Sequence, residues 1–110
     1  MMVTKAQNFC PVTTLLELIG GKWKPVILYC LRQDTRRFGE IAVRIPSISR
    51  KVLTDQLREL EEAGLIKREA FKEIPPRVEY SLTDLGRSLA PILDAMEKWG
   101  TDYMKKSVAT

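Results

Sequence analysis

The chain contains no histidine and only two cysteines among its 110 residues, and these absences exclude several classes of function. Without histidine, the protein cannot use an imidazole as a general base, as a metal ligand or as a pH switch near neutrality. Two cysteines are too few for a cysteine-rich zinc site or a disulfide framework. We therefore expect no metal and no cofactor.

Long apolar runs are also absent. No stretch approaches the roughly 18 apolar residues of a membrane-spanning helix, and the opening MMVTKAQNF lacks the apolar segment of a secretory signal. Gly20-Gly21-Lys22 lacks the upstream glycine and following hydroxyl of a phosphate-binding loop. No spacing of carboxylates, lysines or cysteines marks a catalytic site. The sequence thus predicts a cytoplasmic protein that has no membrane partner and is not an enzyme.

The net charge of +4 is distributed unevenly. Residues 1–51 carry nine basic and three acidic residues, a net +6, whereas residues 52–110 carry nine basic and eleven acidic residues, a net −2. A basic half is typical of a surface that faces a polyanion such as DNA. A mixed, solvated surface would give the same total, so charge alone does not decide.

The length is that of a single domain, which we place at residues 1–110. Apolar residues at helical spacing predict helices at Val12–Ile19, from about Pro25, at Phe38–Ile45 and at about Arg50–Ala63. A buried strand is the alternative for the apolar run 26–31, because periodicity does not separate the two in a short segment. Residues 33–37 are predicted to form a polar turn.

Two strands and a long helix are predicted next. Alternating residues indicate strands at about Ile66–Phe71 and Val78–Leu82, joined by a projecting tip that contains Pro75 and Pro76. The last helix starts after Thr83, and Pro91 inside it should either bend the helix or cost it an internal hydrogen bond. The predicted fold is α+β, mainly α: a winged helix-turn-helix with a long C-terminal dimerisation helix.

The last helix carries an apolar stripe longer than a domain of this size needs. We interpret it as a dimer seam; the alternative is a helix folded back onto its own domain. The predicted seam residues are Leu89, Ile92, Leu93, Met96, Trp99 and Tyr103.

The turn Ile45-Pro46-Ser47 joins two predicted helices, and a charged hairpin follows them. This is the arrangement that binds DNA in helix-turn-helix proteins, where the second helix enters the major groove. Hydroxyls and a helix N-terminus bind phosphate, and arginine reads guanine. Any single one of these basic residues is more often a solvated surface charge, but the whole arrangement favours a DNA-binding role. Asp55 either accepts from a cytosine or pairs with Arg58 or Lys51. The candidate residues are Ser47, Ser49, Arg50, Lys51, Thr54 and Arg58 on the helix, and Lys67, Arg68, Lys72 and Arg77 on the hairpin.

Three segments that together reach from Cys10 to Gly100 resemble the HxlR-type family of bacterial winged helix-turn-helix regulators. They read CPVTTLLELIGGKWKPVILYCL, RRFGEIAVRIPSISRKVLTDQLRELEEAGLIKRE and IPPRVEYSLTDLGRSLAPILDAMEKWG. The resemblance implies a homodimer, a repressor on our interpretation, with two recognition helices on a pseudo-palindromic operator. The resemblance places the recognition helix at about Ser49–Ala63 and the dimer contacts on the last helix and the N-terminal segment. We divide the chain into an arm (1–11), a DNA-binding core (12–83) with a wing (about 66–82), and a dimerisation helix (84–105).

Cys10 precedes Pro11 at the start of the first helix, where a helix N-terminus lowers a thiol pKa. The resemblance implies a sensor of oxidants or electrophiles at this position; an unreactive cysteine near the interface is the alternative. Cys30 is predicted to be a core residue. A Cys10–Cys30 bridge stays open, because the sequence carries no geometry.

Three functions therefore stay open. The first is a dimeric DNA-binding repressor, switched by Cys10 or a small electrophile. The second is a protein-interaction winged helix with no DNA role. The third is a regulator without a thiol switch, whose dimer-interface pocket near Trp23, Tyr29, Trp99 and Tyr103 takes a small molecule. The basic N-terminal half favours the first.

Overall fold

The computed structural model describes residues 10–109, so the first nine residues of the predicted arm lie outside the described residues. The described chain is mainly helical with a small antiparallel sheet, which confirms the predicted winged helix fold. The helices are α1 (Pro11–Ile19), α2 (Lys24–Gln33), α3 (Phe38–Arg44), α4 (Arg50–Glu62), α5 (Asp84–Arg87) and α6 (Ala90–Ala109), and the strands are β1 (Arg36–Arg37), β2 (Ile66–Phe71) and β3 (Arg77–Leu82).

The sheet has the order β1-β3-β2. The hairpin register pairs Ile66 with Leu82 at its base and Phe71 with Arg77 near its tip. The prediction of a plain turn at residues 33–37 was wrong, because Arg36 and Arg37 form β1 and pair with β3. Two residues are too few to show alternation, and only pairing with a distant strand makes them a strand.

The core lies between α2, α4 and the base of the hairpin. The apolar run 26–31 is helical, so the strand alternative is wrong, and Ile27 and Leu28 are fully buried. On α4, Leu53, Leu57 and Leu60 form the buried face, as the spacing predicts. Burial of each such side chain stabilises the fold by roughly 1.5–3 kcal/mol, which holds α4 against the domain with its polar face outward.

The end of α4 determines where the wing begins. Gly64 has a φ of 79°, and the Leu65 N–H donates to the Leu60 carbonyl at 3.0 Å. This is the helix ending for which glycine is favoured, since it has no Cβ to strain the left-handed conformation. The chain therefore turns directly from α4 into the buried pair Leu65 and Ile66, and on into β2.

The prediction of one continuous, bent C-terminal helix was wrong. The chain forms α5, a break at Ser88 and Leu89, and then α6. Pro91 lies in the first turn of α6, where a missing N–H removes no helical hydrogen bond. The guanidinium of Arg87 donates to the Leu82 carbonyl at 2.9 Å and so ties α5 to β3.

Candidate nucleic-acid interface

The turn between α3 and α4 presents the start of α4 at the surface. Ile45 is buried, and its carbonyl accepts the Ile48 N–H at 3.1 Å. The Ser49 hydroxyl oxygen then accepts the Val52 N–H at 3.1 Å and caps α4. Ser49 therefore determines where α4 begins, and the first residues of that helix point away from the core.

The six residues predicted on the recognition helix and its turn are brought together on one exposed surface. It lies opposite the buried leucine face of α4 and consists of Ser47, Ser49, Arg50, Lys51, Thr54 and Arg58. The Thr54 hydroxyl donates to the Arg50 carbonyl at 2.8 Å. This bond holds the short Thr54 side chain against its own helix.

Asp55 lies between two of these basic residues. Its Oδ2 is 3.0 Å from Lys51 Nζ, and its Oδ1 is 3.5 Å from a terminal nitrogen of Arg58. Of the two roles predicted for Asp55, the structure shows the ion pairs. Exposed pairs of this kind contribute less than about 1 kcal/mol, so either cation can exchange the carboxylate for a phosphate at small cost.

Arg50 has a different environment. The carbon at the centre of its guanidinium is 4.9 Å from the centre of the Phe38 ring, at the start of α3. Within residues 10–109, no carboxylate forms an ion pair with Arg50.

The wing divides its predicted basic residues into two groups. Lys67, Arg68 and Lys72 are exposed and form no ion pair with another described residue. Arg77 instead lies over the Phe71 ring, 3.8 Å from its centre, and pairs with Glu79 and, at 2.8 Å, with Glu73.

The charge of Arg77 is thus largely compensated. Hydrogen bonding to Glu73 raises the pKa of the Arg77 guanidinium, and the same contact lowers the pKa of the Glu73 carboxyl. The structure therefore assigns Arg77 to holding the wing tip in place. The acidic neighbours two residues after and four residues before Arg77 were the signal for this role in the sequence.

Arg37 is a surface cation that the sequence reasoning missed, because it lay in the predicted turn. It is exposed, and it lies opposite Glu79 in the pairing of β1 with β3. Its charge also helps to lower the pKa of the Glu73 carboxyl. Arg37 therefore lies beside the wing. The neighbouring Arg36 is structural: it is 9% exposed, and its Nε donates to the Cys30 carbonyl at 3.0 Å.

The two cysteines differ in environment, and both are thiols in the structure, so the Cys10–Cys30 bridge is not formed. Cys10 is exposed at the N-cap position of α1. Hydrogen bonds from the Thr13 side chain, and from the backbone N–H groups of Thr13 and Val12, lower the pKa of the Cys10 thiol. Cys30 is a core residue, as predicted, and burial raises the pKa of its thiol.

The predicted seam needs one correction. Leu93 is 2% exposed and belongs to the core of its own chain, and Leu89 packs partly against that core. Four predicted seam residues keep exposed apolar surface, between 37% and 68% of each side chain: Ile92, Met96, Trp99 and Tyr103. Two of the six predicted seam residues are therefore wholly or partly covered by their own chain, and four stay exposed.

The predicted aromatic pocket is not assembled within the chain. Trp99 and Tyr103 stack on each other with ring centres 5.3 Å apart, while Trp23 packs against the core. Tyr29 instead lines a cavity of about 270 Å³ between α2 and α6. A hydrogen bond to Glu97 raises the pKa of the Tyr29 hydroxyl. The lining residues are Pro25, Val26, Tyr29, Leu93, Met96 and Glu97.

Among residues 10–109, no helix has the length and apolar character needed to cross a membrane. No group of three or more acidic or cysteine side chains among them is arranged to hold a metal ion.

A capped helix with a basic exposed face, preceded by a short helix and followed by a stranded wing, defines the winged helix-turn-helix class of DNA-binding proteins. The HxlR-like helix-turn-helix family profile matches residues 18–108. The chain belongs to this family and is a transcriptional regulator with a helix-turn-helix fold.

Individual relatives agree with this assignment. The chain is 51% identical over 94 residues to the uncharacterized HTH-type transcriptional regulator YdeP of Bacillus subtilis (strain 168), a match that covers 86% of this chain and 73% of YdeP. It is similar to the redox regulator HypR in its oxidized form, with a TM-score of 0.82 and 47% identity over 84% of this chain and 96% of that one. Against reduced HypR the TM-score is 0.83 with 42% identity, over 92% of this chain and 100% of that one.

Proposed function

We propose that the protein is a homodimeric repressor that reads a pseudo-palindromic operator, with α4 in the major groove and the wing on the flanking backbone. The observation that carries this proposal is the exposed surface at the start of α4, where Ser49 caps the helix and Arg50 and Lys51 follow. Helix N-termini attract phosphate, and the first residues of a recognition helix lie nearest the base edges. Lys67, Arg68 and Lys72 would contact the flanking phosphates.

Fluorescence anisotropy tests this proposal with a duplex from upstream of the protein's own gene and a scrambled duplex, across a salt series. We expect a clear preference for the upstream duplex at physiological salt and a steep loss of affinity as salt rises. Arg50→Ala should reduce the preference, whereas Lys106→Ala, which removes the same charge from the distant end of α6, should not. Equal, salt-sensitive binding of both duplexes would contradict a sequence-reading role and favour the protein-interaction alternative.

The dimer rests on the shape and apolar surface of α6. The radius of gyration is 15.7 Å, larger than the roughly 13 Å of a compact domain of this length. Trp99 is 68% exposed and Met96 49% exposed. Exposed aromatic and methionine surface in a contiguous stripe is typical of an interface. Two such helices packed together would cover this surface and set the distance between the recognition helices.

Sedimentation analysis measures the association directly. Trp99→Glu should shift the protein toward monomer, because it places a charge in the seam. Lys98→Gln changes the net charge by the same amount but lies off the apolar stripe, so this variant should stay dimeric. A wild-type monomer at micromolar concentration would refute the dimer.

We further propose that Cys10 makes the repressor responsive to oxidants. The lowered pKa of the Cys10 thiol and the likeness to a protein named as a redox regulator support this proposal. The thiolate attacks a hydroperoxide, the O–O bond breaks, and an alcohol and a sulfenic acid form. Cys10 of the partner subunit then displaces water to give an intersubunit disulfide. Such a bond would change the separation of the two recognition helices from the about 34–36 Å that successive major grooves require.

The thiol switch is tested by adding hydroperoxide to the DNA complex. We expect release of DNA and a disulfide-linked dimer on a non-reducing gel. Cys10→Ser should abolish both effects, and Cys30→Ser, the matched control, should retain them. Full release from the Cys10→Ser protein would exclude the switch.

The cavity between α2 and α6 supports a second candidate, a regulator that binds a small molecule. Its walls are mainly apolar, and Tyr29 and Glu97 provide a polar end. A small apolar ligand with a hydrogen-bond donor or positive charge would fit this chemistry, and it would press on α6 directly. Val26→Trp, at a lining residue outside the predicted seam, should fill the cavity and abolish effector-induced DNA release while DNA binding is retained. Release that persists in this variant would contradict the candidate.

A further inference from the structure

We propose that Phe38 is a positioning residue for DNA recognition: its ring holds the Arg50 guanidinium in place for contact with a base edge or phosphate. This inference rests on the proposed DNA-binding function. It adds a residue of the first helix of the motif to a recognition surface otherwise assigned to the second helix and the wing.

Both ends of the contact are anchored. Phe38 is the first residue of α3 and packs partly against the core, so its ring is not free to move away. Arg50 is the first residue of α4, whose start is determined by the Ser49 cap. The 4.9 Å separation lies within the roughly 6 Å range of cation–π attraction. The contact therefore bridges the turn of the helix-turn-helix.

The kind of contact matters for recognition. A carboxylate partner compensates the charge of an arginine and occupies its N–H donors, as Asp55 does for Arg58 and Glu73 does for Arg77. An aromatic ring attracts the guanidinium without a conventional acceptor, so the N–H donors stay available to DNA. Arg77 also lies over an aromatic ring, but two glutamates occupy its donors. Among the arginines of α4 and the wing tip in the described structure, Arg50 is the one that has a ring and no carboxylate partner.

Preorganisation then determines the size of the effect. An arginine that is already ordered loses less side-chain entropy on binding than one that is mobile. The strength of an exposed cation–π contact corresponds to about two- to fivefold in affinity. Loss of the ring should therefore weaken specific binding by this factor, and only while Arg50 is present.

The test is a double-mutant cycle in the full-length protein. Phe38→Leu keeps an apolar side chain but removes the aromatic ring, Phe38→Tyr keeps the ring, and Arg50→Ala removes the cation. These variants and the Phe38→Leu/Arg50→Ala double variant are titrated against the upstream and scrambled duplexes. In parallel, the NMR resonances of the Arg50 side chain are recorded in the free proteins, because a ring over the guanidinium shifts nearby protons.

We expect Phe38→Leu to lose about two- to fivefold in affinity for the upstream duplex, Phe38→Tyr to bind like the wild type, and Phe38→Leu to cause no further loss in the Arg50→Ala background. The ring-induced shift should vanish in Phe38→Leu and persist in Phe38→Tyr. An equal loss with and without Arg50, or wild-type binding by Phe38→Leu, would overturn the positioning role alone. A wild-type protein that fails to discriminate between the duplexes would overturn the proposed function as well.

Discussion

Replacing Asp55 with asparagine is expected to strengthen DNA binding, although it alters the recognition helix. The Asp55 carboxylate pairs with Lys51 at 3.0 Å and with Arg58 at 3.5 Å. If these cations bind phosphate, each must first leave Asp55. Exposed pairs of this spacing contribute about 0.3–0.5 kcal/mol each, so freeing both should raise the affinity of a protomer by roughly three- to fivefold.

Asp55→Asn also removes one negative charge from the surface proposed to face DNA, and Glu62→Gln is the matched control for that change in charge. Glu62 is also exposed on α4 and lies about 10 Å further along the helix, at 1.5 Å per residue. This distance exceeds the Debye length of about 8 Å at physiological salt. Glu62→Gln should therefore change affinity by less than about twofold at that salt.

Anisotropy titrations at several salt concentrations distinguish the contributions. Asp55→Asn should gain affinity for both the upstream and the scrambled duplex, with the gain shrinking as salt screens the charges. Chemical denaturation checks that the fold is retained. A loss of affinity confined to the upstream duplex would refute the reasoning and would identify Asp55 as an acceptor for a cytosine amino group. An equal gain in DNA affinity by the Glu62→Gln variant would show that the effect comes from the change in net charge and not from the two ion pairs.

Three further predictions concern stability and the thiol. Ser49→Ala removes the cap of α4 and should lower the free energy of unfolding by about 1 kcal/mol in urea denaturation; no change would show that water replaces the cap. Leu57→Ala should lower it by about 2–5 kcal/mol because Leu57 is 2% exposed, whereas Val43→Ala, at a side chain 76% exposed, should have little effect. The lowered pKa of Cys10 leaves more thiolate at pH 7 than in an unfolded chain, so iodoacetamide should react faster with Cys10 in the folded protein. Thr13→Val removes one of the hydrogen bonds to the thiolate and should move the midpoint of the pH–rate profile to higher pH. A wild-type midpoint at the ordinary value of about 8.5 would contradict the lowered pKa.

Periodicity and terminal residues predicted much of the architecture, because these signals are local. Leucines at residues 53, 57 and 60 indicated which face of α4 is buried, and Ser49 and Gly64 marked where that helix starts and ends. The same local signals placed the hairpin to within one residue at β3. They failed at Pro91, since a proline is compatible both with a bend inside a helix and with the first turn of a new one.

The chemical nature of the proposed recognition surface was also determined by the sequence, whose hydroxyl and basic residues cluster at the start of one predicted helix. Tertiary structure decided which of these residues carry free charge, because ion pairs depend on side chains meeting in space. In the folded chain, Arg77 forms ion pairs with two glutamates, Arg50 lies over the Phe38 ring and Arg37 lies beside the wing. Tertiary structure also placed Leu93, which the helical pattern predicts for a dimer seam, in the core of the chain. The way α6 packs on α2 is a property of two helices together and is not encoded in either pattern alone.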